Sequence, residues 1–133
     1  MRNLILTLAV FLCTNAYAQT SPSALDTLAN RYQLCLGNSQ HPYDCAVIYY
    51  RQLDSLLNLA LQRLYANLAP DKQRQLQLEQ GFWEEKKEEY FKKIDERVEK
   101  IHKRTMEGLD DDMISTDNKA AFLKERLTKL LSI

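Results

Sequence analysis

Three prolines and three glycines in 133 residues leave few points at which a helix is forced to stop. Each proline stands at the head of a stretch with helical periodicity: Pro22 before Ala24 to Leu36, Pro42 before Tyr43 to Leu68, and Pro70 before Asp71 to Met106. Proline is favoured in a first helical turn because its missing N–H would be unpaired there anyway. Gly37 and Gly108 follow the first and third stretches, where a left-handed C-cap is expected. A fourth segment is predicted from Ser115-Thr116-Asp117, with Thr116 or Asp117 as N-cap, through Leu131. From Gln19 onward there are 18 Leu against two Val and five Ile, so helix formers far outnumber β-branched aliphatics. The expectation is one all-α domain.

Residues 1–18 read as an export signal. Arg2 supplies a positive start, Leu4 to Cys13 an apolar run, and Ala16-Tyr17-Ala18 the small-x-small pattern of a cleavage site before Gln19. A membrane anchor needs an apolar span of about 20 residues, and Thr14 and Asn15 interrupt this one well short of that. Removing 18 of 133 residues leaves a 115-residue domain, 19–133, addressed to the periplasm or beyond the cell. Only Arg2 among the charges is lost, so 17 basic and 18 acidic residues remain and nothing electrostatic favours nucleic acid as a partner. Cys13 leaves with the signal, and Cys35 and Cys45 form a pair in an oxidising compartment, where a disulfide is the expected state. Closing a loop of about ten residues stabilises by somewhat under ~3 kcal/mol in the chain-entropy model. A metal site from Cys35, His41 and Cys45 is the alternative, but it offers only three ligands without the short spacing of structural zinc sites.

In the second segment Ala46, Tyr50, Leu53, Leu57, Ala60, Leu64 and Leu68 form one apolar stripe. The third offers Leu76, Trp83, Tyr90, Ile94, Val98 and Ile101, and only Ala69 and Pro70 separate the two. A link this short predicts an antiparallel hairpin of two long helices, with a short N-terminal helix and a C-terminal helix packed on it. The third helix is the longer, so its C-terminal half overhangs unless the first or fourth packs there. Residues 71–104 hold nine acidic and ten basic side chains. Glu88/Lys92, Glu89/Lys93, Glu96/Lys100 and Glu99/Lys103 all place the acid four residues before the base, the favourable orientation on a solvated face.

Read in order, Cys35, Cys45, Asp54-x-x-Leu57-Asn58 and Leu76-x-x-x-Gln80-x-x-Trp83 resemble the lysozyme-inhibitor LprI-like family of small bacterial envelope domains. The likeness covers about residues 31–92. Leu64 fits the family pattern, Leu61 stands where tyrosine is usual, with Tyr65 one turn later, and Lys87-Glu88 replace an arginine–acid pair. The resemblance implies a protein partner, with lysozyme as the named target, and no cofactor.

The same residues have a reading of their own. Asn58 and Gln80, with Asp54 one turn away, suit a polar cluster that fixes the register of the hairpin, and Trp83 suits a buried anchor beside it. Gly81 suits a close approach of the second helix, which would offset its cost of about 1 kcal/mol in a helix interior. His41 and His102 belong to no nucleophile motif, and the carboxylates are mostly matched with lysines, so catalysis has no constellation to use. Asp110-Asp111-Asp112 lacks the glycine and terminal glutamate of a calcium loop and reads as a solvated turn. Two function classes follow. One is a protein-binding or inhibitor module whose acidic face is Glu84, Glu85, Glu88 and Glu89, as a cationic lysozyme would require. The other is an envelope structural or chaperone-like protein whose long helices self-associate.

Overall fold

The prolines do open helices. The computed structural model describes residues 22–105 and 108–133, and its elements are α1 (Pro22–Asn38), α2 (Pro42–Asn67), α3 (Pro70–Thr105) and α4 (Gly108–Leu130). The export signal and cleavage site expected from the sequence, with Cys13, lie outside the described residues. No helix among the described residues is long and apolar enough to cross a membrane.

The first three helices match their expected spans within two residues, but α4 starts earlier than the sequence reading put it. Gly108 opens this helix instead of capping α3, and Asp111, Thr116 and Asp117 are interior to it. Asp111 is buried with its Oδ2 unpartnered, so the aspartate run is no solvated turn. The early start has a physical reason: a carboxylate in a first helical turn is favoured by the helix dipole, so aspartates that suggest a loop also suit a helix N-terminus. Gly37 likewise lies within α1, with no left-handed backbone.

The core is built from leucine rows at helical spacing. Helix α1 gives Leu25 and Leu28, α2 gives Tyr49, Leu53, Leu57, Ala60 and Leu61, and α4 gives Ala120, Leu123, Leu127 and Leu130. Helix α3 adds only Leu76 to this buried set. Its remaining stripe is half-buried at Trp83, Ile94 and Val98 and exposed at Tyr90 and Ile101. The main neighbour of α2 is therefore α4, which also packs on α3, while α1 packs on α2. This differs from a hairpin in which α2 and α3 cover each other. A stripe that keeps a single buried leucine cannot cover α2, and the four-residue row of α4 does so instead.

Side chains still connect α2 to α3. The Tyr50 and Phe91 rings lie 6.3 Å apart. At the other end the Gln73 amide donates to the backbone oxygens of Tyr65 and Leu68, both at 2.8 Å, and so satisfies carbonyls left open where α2 ends. Helix α1 is held by the Cys35–Cys45 disulfide, with a Cα separation of 5.8 Å, and this takes both thiolates from the metal site weighed above. One turn away Tyr32 stacks on Tyr49, with centroids 4.4 Å apart, and donates to Asp117 Oδ1 on α4 at 2.6 Å. Farther along, Asp95 on α3 accepts from Ser115 at 3.3 Å and from Lys119, both on α4. Of the acid–base pairs expected along α3, Glu89–Lys93 forms at 2.6 Å, whereas Lys92 turns to Glu96 at 3.9 Å.

Gly81 is exposed, and a Cβ built there meets nothing within 4 Å, so the close approach expected from the sequence is absent. Gly81→Ala should accordingly stabilise the protein by about 1 kcal/mol, the helix-propensity difference, as read from paired chemical denaturation curves. Lower stability for the alanine variant would contradict the open surface.

Burial, and then the bond to Asp117, raise the Tyr32 pKa well above the ordinary tyrosine value, while burial and then the nearby charge of Asp117 raise that of Tyr49. Folding thus favours the protonated phenols. Their stabilisation is complete below about pH 10 and is lost as pH climbs through the raised folded-state values. Tyr32→Phe should cost about 1 kcal/mol at neutral pH, and its deficit against the parent should shrink above about pH 11 in thermal melts. A deficit independent of pH would disconnect the Tyr32–Asp117 bond from the titration.

Candidate functional site

Leu76, Gln80, Trp83 and Lys87 recur at three- and four-residue steps along one face of α3, and from that face Gln80 and Trp83 contact α4. Gln80 is 9% exposed, and its Oε1 accepts from Arg126 Nε at 3.1 Å and Nη2 at 2.9 Å. Its amide donates to Glu84 Oε1 at 2.8 Å, and Lys87 Nζ binds the other Glu84 oxygen. The polar cluster that fixes register therefore joins α3 to α4. Asn58 is exposed on α2 and makes only a long 3.5 Å contact with the half-buried Asp54, so neither reaches Gln80. Leu57, 2% exposed, belongs to the core.

Trp83 is half-buried, less than an anchor would be, and is covered from several sides. Its ring stacks on Phe122 of α4 at 5.5 Å, with Lys87 Nζ 5.2 Å and Arg126 Cζ 5.9 Å from its centroid. Phe122 in turn stacks on Tyr90 at 4.8 Å and meets Phe91 edge-on at 6.0 Å. Such ring pairs contribute about 0.5–1.5 kcal/mol beyond area burial. They also explain how α3 stays on the bundle with so little aliphatic burial.

Beside this row of rings runs a groove of about 430 Å³ between α3 and α4, with Phe82, Trp83 and Phe122 as apolar wall. Glu79, Lys86, Glu125, Arg126 and Lys129 complete it. Phe82 is 63% exposed. Of the acidic face read from the sequence, Glu84 is half-buried and committed to Gln80 and Lys87, while Glu85, Glu88 and Glu89 are exposed on α3. The Glu89 pKa is lowered by its bond to Lys93. Desolvation lowers the Arg126 pKa, with Glu79 among the charges opposing the shift.

Sequence reading located Gln80 and Trp83 but missed Phe122 and Arg126, which lie some forty residues away along the chain. One signal was there. Arg126 falls in the helical row Leu123, Leu127, Leu130, at a position that the periodicity turns inward. Comparison with known proteins returns no match among family models, curated proteins or solved structures. Among the described residues no three His, Cys, Asp or Glu side chains come together as a metal-holding group.

Trp83→Ala should cost about 2 kcal/mol, below the ~3–5 kcal/mol of a fully buried aromatic, because part of the ring already meets solvent. Gln80→Ala should cost more, about 3 kcal/mol, since it leaves the Arg126 guanidinium buried without its acceptor. Denaturant midpoints of the two variants measure the order, and the reverse order would mean that Gln80 is dispensable to Arg126.

Proposed function

We propose that this chain is an exported, non-catalytic protein-binding module of the bacterial envelope, of the lysozyme-inhibitor-like kind, and that its partner docks along the α3–α4 groove. The observation that carries the reading is Phe82, a large aromatic side chain left 63% exposed at the edge of a groove walled by Trp83 and Phe122. Aromatic side chains and arginine are the residues enriched at protein interfaces, and Phe82, Trp83 and Arg126 line one groove here. The export signal, the resemblance carried by Leu57, Asn58, Gln80 and Trp83, and the oxidised cysteine pair point the same way.

The acidic ridge Glu85, Glu88 and Glu89 on α3 lies outside the groove lining, so a cationic lysozyme would meet the ridge with its basic surface and the groove with a separate segment. Excess oxidised protein should then reduce lysozyme activity. The effect should weaken as salt rises, since exposed charges are screened over about 8 Å at physiological ionic strength. Glu85→Lys with Glu88→Lys should slow association more than it speeds dissociation. Undiminished lysozyme activity would remove lysozyme as the target. Capture of an envelope protein by the parent but not by a Phe82→Ala variant would then still support the binding module. A concentration-dependent sedimentation profile without such capture would favour self-association instead.

A further inference from the structure

We propose that the α3–α4 groove accepts acidic peptide segments in which a carboxylate neighbours a large apolar side chain, with Arg126 receiving the carboxylate; this deepens the binding reading above and rests on it. Arg126 is only 4% exposed, yet among the described residues no carboxylate is ion-paired with it. Both of its hydrogen bonds go to one neutral atom, Gln80 Oε1. The acid next in that network, Glu84, gives one oxygen to Gln80 and the other to Lys87. A buried guanidinium without a contacting anion is a costly arrangement, and its planar fork of five donors matches a carboxylate. The ring of Trp83 lies 5.9 Å from the guanidinium carbon, so the anionic and apolar parts of an occupant must be close neighbours on its chain.

The charges around the groove agree. Lys86, Arg126 and Lys129 line it against Glu79 and Glu125. A second hollow beside it shares Glu79 and Lys129 and adds Lys72 over Leu68 and Leu76. The path is therefore net cationic along its length, with apolar floor at both ends, and complements an extended acidic segment better than a neutral or basic one.

Trp83 is the only tryptophan of the chain, so its emission reports on the groove alone. The oxidised protein is titrated with two end-blocked peptides, acetyl-Glu-Phe-Glu-amide and its neutral counterpart acetyl-Gln-Phe-Gln-amide. The acidic peptide should change the emission saturably and bind at least about tenfold more tightly, with affinity falling as salt rises. Arg126→Met should reduce it to the affinity of the neutral peptide. Should that variant fail to fold, the surface double variant Lys86→Gln/Lys129→Gln should weaken the acidic peptide by about threefold and flatten its salt dependence. Equal binding of the two peptides overturns the carboxylate role of Arg126 and leaves the groove as a peptide site. No emission change with either peptide at millimolar concentration overturns the groove itself.

Discussion

The row Ala120, Leu123, Leu127 and Leu130 on α4 is what the other helices depend on. It lies between 0 and 2% exposed and supplies the cover that α2 needs for Leu53 and Leu57. Helix α3 brings a single buried leucine to the core, so little aliphatic packing joins α2 to α3 directly. Their connection runs through α4, by the Gln80–Arg126 bonds and the Phe122 rings on one side and leucine packing on the other. Burying each leucine of that row is worth about 1.5–3 kcal/mol. The row thus outweighs any of the surface ion pairs that decorate α3, which contribute a few tenths of a kcal/mol each.

Much of the fold could be read from local signals and little of the site could. Pro22, Pro42 and Pro70 act within one turn of where they stand, so they fixed the starts of three helices to within two residues. The start of α4 was missed because Gly108 and three aspartates carry a local signal for a turn that also suits a helix N-terminus. The mutual cover of α2 and α3 expected of a hairpin is not confirmed, for a related reason. Two apolar stripes joined by a two-residue link look complementary along the sequence, but the depth to which each is buried depends on a third helix that periodicity cannot rank. Gln80 was recognised as an inward polar residue and given the wrong partner, since Asn58 was near in the motif and Arg126 lies 46 residues beyond Gln80.

The site combines two kinds of restraint that usually conflict. Gln80, Glu84, Lys87 and Arg126 form a connected polar chain, yet Trp83, itself stacked on Phe122, sets its apolar ring against the two cations. The Trp83 ring lies against the guanidinium, where a lower local dielectric strengthens its hydrogen bonds. The same contacts hold it beside a groove, where no carboxylate of the described residues is ion-paired with it. Rigidity and an unmet electrostatic demand come from the same contacts.

The position of α4 in the chain order has a consequence for how the molecule acquires its structure. The disulfide joins residues only ten apart, and α1 packs on α2, so these contacts close over short stretches of chain. Those to α4 close over much longer ones: Tyr32 and Asp117 are 85 residues apart. A chain emerging from the ribosome therefore exposes the leucine face of α2 until residues 108–130 arrive. Contacts of such separation close late and slowly. The interval before α4 docks is when this protein is most open to proteases, to chaperones and to association with other unfinished chains.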